Sequence, residues 1–91
     1  MKTVEIMVEG TVTGVGFRFS ALREAQRYPN IAGYVRNATP RQVEAVVQGP
    51  DDEVDEFADW FRHGPPSAHV VSCTITPRAN NTVFPSFTIE R

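Results

Sequence analysis

The chain has 91 residues, of which 41% are hydrophobic and 22% charged, and its formal net charge is −2 at pH 7. These values fit one globular domain with a small core and exclude a disordered chain. The slight negative charge disfavours a general binder of nucleic acid or of an acidic membrane surface.

The first predicted elements are a strand, a helix and a second strand. The first strand shows the alternation typical of a half-buried strand, and its apolar residues are Val4, Ile6 and Val8. After a loop rich in glycine, residues 17–28 predict a helix, which ends at Pro29 because proline cannot continue a helix. Residues 31–37 predict the second strand, and residues 38–41 predict a turn.

The middle of the chain predicts a third strand followed by a second helix. Residues 42–48 alternate in the same way, and one face carries Val43, Ala45 and Val47. Gly49-Pro50 opens the helix, and Gly64-Pro65-Pro66 ends it. The apolar residues at helical spacing between them are Val54, Phe57, Ala58 and Phe61.

The last two predicted elements are strands, at residues 68–76 and 83–90. One face of the earlier strand is predicted to carry Val71, Cys73 and Ile75. Pro85 limits the later strand to a sheet edge. The order β-α-β-β-α-β plus a terminal β predicts an α+β fold, a ferredoxin-like split βαβ sandwich formed by residues 1–91 as one domain. We expect a five-stranded, mainly antiparallel sheet with both helices on one face.

Several other features exclude whole classes of site. Glu5 and Glu9 interrupt the amino-terminal run, so it does not read as a signal peptide, and no stretch approaches the roughly 20 apolar residues of a membrane span. The single cysteine, Cys73, excludes an internal disulfide and fits a reducing cytoplasm. His63 and His69 have no acidic or cysteine partner at metal-ligand spacing, so we expect no metal site.

The segment Gly10–Arg18, GTVTGVGFR, holds three glycines and one arginine between the first strand and the first helix. Gly14 and Gly16 allow unusual backbone angles, so several N–H groups can converge on an anion. The start of the following helix also favours negative charge, whereas Arg18 there has the wrong sign unless an anion is bound. A phosphate-binding loop and a plain glycine turn with an exposed arginine both fit this segment.

Asn37 lies at the end of the second predicted strand, where asparagine usually starts a turn. If the strand continues through it, Asn37 shares a face with Gly33 and Val35, and its amide can orient a water molecule. We interpret the nearby Arg36 and Arg41 as exposed surface charges. Taken alone, the turn is the simpler interpretation of Asn37.

Taken together, four segments resemble the acylphosphatase family. Gly10–Arg18 is similar to the family's first signature, G-x-V-Q-G-V-G-F-R, and Gly33–Asn37 (GYVRN) is similar to the second, G-x-V-x-N. Val43-Glu44 with Gly49 follows as the family's third strand does. Gly64–Val70 (GPPSAHV) resembles its G-P-P-x-A-x-V segment. The resemblance spans nearly the whole chain and favours the phosphate-binding interpretation of the loop.

The resemblance implies hydrolysis of the carboxyl–phosphate anhydride of acyl phosphates, without metal or cofactor. It implies that Arg18 binds the phosphoryl oxygens and that Asn37 positions the attacking water. The backbone that would hold the phosphate comprises Thr13, Gly14, Val15, Gly16, Phe17 and Arg18. Such a reaction needs positioning and charge stabilisation more than a strong acid, because a carboxylate is a good leaving group. We expect a monomeric cytoplasmic enzyme whose partner is a small-molecule acyl phosphate.

The sequence departs from the family pattern at three places. Thr13 stands where the family usually has glutamine. Residues 28–31 replace a tighter helix exit and add a residue. Residues 39–42, TPRQ, replace the usual Asp-Gly turn after Asn37. The last change lies closest to the expected water site, so it bears on the rate more than on the identity of the reaction.

Three alternatives remain at this stage. The altered turn after Asn37 is compatible with a non-catalytic module that binds phosphate or another anion without hydrolysis. An RNA-binding domain of the same topology is disfavoured by the acidic balance and by the absence of an RNP-type aromatic motif. A detached domain of a larger carbamoyl-transfer maturation protein is disfavoured by the ends at Met1 and Arg91, from which we expect a free-standing protein.

Overall fold

The computed structural model describes residues 1–79 and 81–90 of the chain. Its elements in chain order are β1 (Lys2–Thr11), α1 (Phe17–Ala25), β2 (Ala32–Thr39), β3 (Gln42–Gly49), α2 (Asp51–Trp60), β4 (His69–Arg78) and β5 (Phe87–Ile89). The strands form one five-stranded sheet in the order β4-β1-β3-β2-β5. The β1–β3, β1–β4 and β2–β3 pairs are antiparallel, and β2–β5 is parallel. The predicted ferredoxin-like α+β fold is confirmed.

The prediction of one domain over residues 1–91 includes Asn80 and Arg91, which lie outside the described residues. It stays a prediction. Within residues 1–79 and 81–90, the helices are too short and too polar to cross a bilayer.

Both helices pack on the same face of the sheet, as predicted. The strand residues at this face are Val4, Ile6, Val8, Val35, Val43, Ala45 and Val47, and all are buried. They belong to one apolar cluster with the helix residues Phe17, Ala21, Ala25, Val54, Phe57 and Ala58. The Phe57 ring centroid lies 5.2 Å from that of Phe87, which brings β5 into the same core. Full burial of each large side chain stabilises the fold by about 1.5–3 kcal/mol.

The segment that precedes β5 is tied to the sheet by a buried glutamine. Gln48 alternates with the core residue Val47 and therefore points to the other face of the sheet. Its Nε2 donates to Thr3 Oγ1 at 3.0 Å and to the Thr82 carbonyl at 2.6 Å. Its Oε1 accepts from the Phe84 N–H at 3.1 Å. One polar side chain thus fixes residues 82–84 against the sheet.

The first helix is shorter than the predicted span of residues 17–28, because its hydrogen bonding tightens after Ala25. Each of the next three N–H groups donates to the carbonyl three residues earlier. The distances are 3.2 Å for Gln26, 3.1 Å for Arg27 and 3.0 Å for Tyr28. These bonds form a closing turn ahead of Pro29. The second strand is longer than predicted: β2 runs to Thr39, and the turn is confined to Pro40-Arg41.

The predicted core face of the fourth strand was wrong at Val71. Glu9 pairs with Ser72 but Gly10 pairs with Val70, so the register shifts and Val71 is left without a partner on β1. Val71 is 63% exposed, whereas Val70 packs against the core on the side of Cys73 and Ile75. Strict alternation across the register shift fails for this reason. The fifth strand, β5, spans only three residues and occupies a sheet edge, as the position of Pro85 indicated.

Candidate active site

The loop between β1 and α1 contains two glycines in the left-handed backbone region. Gly14 has a φ of 72° and Gly16 a φ of 75°. Gly16 is the N-cap of α1, its carbonyl accepts from the Ser20 N–H at 2.9 Å, and no side chain caps the helix. The first turn of α1 contains no acidic residue. The unpaired N–H groups of this turn therefore remain available to an anion.

A cavity of about 210 Å³ opens over this loop. It is lined by Val12, Gly14, Gly16, Phe17, Arg18, Phe19 and Asn37. Arg18 comes from the first turn of α1 and Asn37 from β2, so the fold brings the two predicted catalytic residues to one cavity. A permanent cation, a neutral amide and a glycine loop form a site suited to an anionic ligand.

Arg18 forms no ion pair with any residue for which the structure gives a position. Arg36 is instead paired, because its Nε lies 2.7 Å from Glu44 Oε1. The hydrogen bond that Arg36 donates to Glu44 raises the pKa of Arg36, and the charge of Glu44 raises this pKa further. The positive charge of Arg18 is thus available to a ligand, while that of Arg36 is balanced within the protein.

Asn37 lies where β2 loses its regular pairing with β3. It pairs with Val43, and the register then shifts between Asn37 and Thr39. Asn37 is exposed, and its backbone lies within the strand. The strand therefore continues through Asn37, which is the condition under which the sequence predicted a water-orienting role instead of a simple turn.

The loop is joined to the turn after β2 by hydrogen bonds. Thr13 Oγ1 donates to the Pro40 carbonyl at 2.5 Å, and the Gly10 N–H donates to the Arg41 carbonyl at 2.9 Å. Within the turn, Thr39 Oγ1 accepts from the Arg41 N–H at 3.2 Å. Two of the three places where the sequence departs from the family pattern, Thr13 and residues 39–42, are therefore in direct contact.

The segment that follows α2 supports the loop from another side. Ser67 Oγ donates to the Val15 carbonyl at 2.8 Å. A Cβ on Gly64 would lie 2.4 Å from Phe17 Cε2, so the Phe17 ring packs directly on the glycine backbone. Thr13 and Val15, both predicted to hold phosphate through their backbone, do not line the cavity. The Thr13 hydroxyl donates to the Pro40 carbonyl, and the Val15 carbonyl accepts from Ser67.

Sequence reasoning assigned no role at this site to Val12, Phe19 or Ser67, and it did not predict the contact of Pro40 with the loop. Phe19 lines the cavity and is 70% exposed. A large apolar residue next to Arg18, outside the apolar stripe of α1, is a signal that could have identified it. The contacts of Pro40 and Ser67 with the loop join segments distant in sequence, and no local pattern indicates them.

A second and larger cavity, of about 390 Å³, contains none of the residues predicted to act on phosphate. It is lined by Ser20, Arg23, Glu24, Trp60, His63, Gly64, Pro65 and Pro66. Arg23 lies beside the acidic Glu24 there, and no glycine loop offers converging N–H groups. No group of three His, Cys, Asp or Glu side chains suited to a metal occurs in residues 1–79 and 81–90.

Comparisons with known proteins identify the family of the chain. The acylphosphatase family model matches residues 4–89. The acylphosphatase of Actinobacillus succinogenes is 42% identical over 87 residues, covering 96% of each chain. The crystal structure of acylphosphatase from Bacillus subtilis has a TM-score of 0.91 and 30% identity, with complete coverage of both chains.

The same unit also occurs within a longer protein. The T. kodakarensis HypF structure matches all of this chain at a TM-score of 0.83 and 29% identity, but only 12% of that chain is covered. The family match covers nearly the whole chain, and the relatives of similar length carry the family's name. The chain belongs to the acylphosphatase family.

Proposed function

We propose that this protein hydrolyses acyl phosphates to a carboxylate and inorganic phosphate in the cavity between the Gly14–Gly16 loop and Asn37. The observation that carries the proposal is that Arg18, which has no ion pair among the described residues, meets Asn37 at one cavity over the start of α1. The proposal is supported by the family match and by relatives named as acylphosphatases.

The phosphoryl group is held by the loop backbone and by Arg18. The N–H groups from Thr13 to Arg18 and the partial positive charge at the start of α1 attract its oxygens. The planar guanidinium of Arg18 offers two parallel N–H donors to two of these oxygens, which a lysine ammonium cannot do. In the transition state, charge spreads over the equatorial oxygens, so this arrangement stabilises the reacting group where charge develops.

Asn37 positions the attacking water. Its side-chain oxygen accepts a hydrogen bond from the water, which fixes one lone pair of the water toward phosphorus. The carboxylate leaves without strong acid catalysis, because it is a weak base. Among residues 1–79 and 81–90, none that lines the cavity is a histidine or carries a carboxylate. A phosphoryl oxygen of the substrate therefore takes the proton of the water in this proposal.

The proposal also covers the oligomeric state, the cofactor requirement and the location of the protein. It acts as a monomer, since both Arg18 and Asn37 come from the same chain and complete the cavity between them. It needs no metal, cofactor or nucleic acid, because the guanidinium and the backbone donors supply the charge stabilisation. The lone Cys73, a free thiol, suits a cytoplasmic location.

Hydrolysis of benzoyl phosphate, followed by ultraviolet absorbance with a chelator present, tests the proposal. We expect the wild type to turn over and Arg18→Ala to lose at least about 100-fold in kcat/KM, the cost of removing one donor to a developing charge. Arg23→Ala is the matched control, because it removes the same charge from the same helix but from the other cavity. It should retain activity.

Two results would contradict the proposal. A wild type that does not hydrolyse benzoyl phosphate but binds inorganic phosphate would revive the non-catalytic anion-binding module, which the naming of the relatives as enzymes does not favour. Equal losses in Arg18→Ala and Arg23→Ala would remove Arg18 from the assigned role.

A further inference from the structure

Phe19 is an exposed aromatic ring at the mouth of the phosphate cavity. It is 70% exposed, and every other aromatic side chain in residues 1–79 and 81–90 is at least partly buried. It also takes part in none of the ring–ring contacts that join the other aromatic residues of the described chain. The fold therefore gains little from this ring, whose apolar surface is left in water.

Phe19 lies at the same cavity as Arg18. The two residues are adjacent in the first turn of α1, and both line the cavity that also contains Asn37. The other apolar lining residues, Val12 and Phe17, are each 1% exposed, so they form its floor. Phe19 thus supplies the apolar surface at the open side of the cavity.

An acyl phosphate bound through its phosphoryl group must direct its acyl group toward this open side. Only one bridging oxygen separates phosphorus from the acyl carbon, so the acyl group begins within a few ångströms of the phosphate-binding atoms. The glycine loop and Arg18 lie at the phosphoryl end of such a substrate, and the aromatic ring of Phe19 lies at its acyl end.

We propose that Phe19 forms an acyl-group subsite that selects acyl phosphates with an aromatic or extended apolar acyl group over those with a small one. This inference rests on the proposed function and names its substrate class. A flat acyl group stacks on the Phe19 ring and shields it from water, whereas an acetyl group is too small to cover it. One aromatic contact of this kind corresponds to a preference of about three- to tenfold.

The test compares kcat/KM for benzoyl phosphate with kcat/KM for acetyl phosphate in each variant. Phe19→Ala should lower the benzoyl-to-acetyl ratio about three- to tenfold, mainly through a higher KM for benzoyl phosphate. Phe19→Tyr keeps the ring and should keep the benzoyl-to-acetyl ratio at its wild-type value. Val83→Ala, at another exposed apolar residue (76% exposed) outside this cavity, should leave the ratio at its wild-type value.

The outcomes separate this inference from the proposed function. A wild type that hydrolyses both substrates, with the same ratio in Phe19→Ala, would overturn the acyl-group subsite and leave the proposed function standing. A parallel fall for both substrates in Phe19→Ala would also overturn it, because a subsite affects the larger acyl group selectively. A wild type that hydrolyses neither substrate would end both proposals.

Discussion

The Thr13 hydroxyl donates a hydrogen bond to the carbonyl of Pro40. Thr13 lies in the glycine loop, and Pro40 lies in the turn directly after the strand that carries Asn37. A second bond, from the Gly10 N–H to the Arg41 carbonyl, joins the same two segments. The loop that would hold the phosphate is therefore fixed to the strand end that would hold the water. Thr13 replaces a glutamine of the family pattern, and the turn that accepts its hydrogen bond also departs from that pattern.

Removing the Thr13 hydroxyl should loosen this connection and lower the rate. Thr13→Val keeps the branched shape and deletes the donor, leaving the Pro40 carbonyl without this partner. We expect kcat to fall about three- to tenfold, the value of one hydrogen bond, with a smaller change in the inhibition constant of inorganic phosphate. Thr13→Ser keeps the hydroxyl and should stay close to the wild type. Equal activity of Thr13→Val and Thr13→Ser would show that the bond does not position the water.

Changing Asn37 should separate water positioning from phosphate binding. Asn37→Ala should lower kcat about 10- to 100-fold with a much smaller rise in KM, because misplacing the nucleophile affects the chemical step. Asn37→Asp places a negative charge beside the phosphate and should also raise KM. Asn81→Ala, at an exposed asparagine outside the cavity, is the control. A rise in KM at unchanged kcat in Asn37→Ala would assign Asn37 to binding alone.

The pattern of residues predicted most of the fold because most of it obeys local rules. Alternation identified β1 and β3, and helical spacing identified the buried face of α2. Val71 was misplaced because the register shift depends on a contact between strands: a Cβ on Gly10 would lie 2.1 Å from the His69 carbonyl oxygen. That close approach belongs to the pairing of β1 with β4, which single-strand periodicity does not contain.

The candidate site was predicted in outline from its glycines, Arg18 and Asn37, since each has a distinctive backbone or chemical property. The structure adds that Arg36 is paired with Glu44, whereas Arg18 has no ion pair within residues 1–79 and 81–90. It also adds the bond from Ser67 to Val15, which joins segments far apart in sequence. Which of several arginines remains free, and what supports a loop, depend on tertiary contacts and could not be predicted from spacing.

Gln48 should contribute to stability more than to activity. Gln48→Leu removes the partners of the Thr82 carbonyl and the Phe84 N–H, so we expect the free energy of unfolding to fall by about 2 kcal/mol. Urea denaturation measures it. Gln42→Leu, on the same strand, is the control and should change stability by less than about 1 kcal/mol. A stability of Gln48→Leu equal to that of the wild type would mean that residues 82–84 are not held by this side chain.

Cys73 should react slowly as a nucleophile. Burial raises the pKa of its thiol. The charge of Arg62 lowers this pKa, and the charge of Asp59 raises it. At a given pH the folded protein therefore contains less thiolate than the unfolded chain, and alkylation by iodoacetamide should be slower. The pH midpoint of the alkylation rate should lie higher in the folded protein than in urea. Because the folded pKa is the higher one, this thiol stabilises the fold below its unfolded pKa, and the contribution is lost as the pH rises through the folded pKa. A lower midpoint in the folded protein would contradict this assignment.

The place where phosphate binds on the protein decides whether the cavity of Arg18 and Asn37 is the active site. Inorganic phosphate would be titrated into isotopically labelled protein, and the chemical-shift changes of every backbone amide and asparagine side chain would be followed by NMR. We expect the largest changes at the amides of residues 13–18 and at the Asn37 side chain, and we expect these changes to be lost in Arg18→Ala. Changes centred on the cavity of Arg23 and His63, or changes that persist in Arg18→Ala, would contradict it.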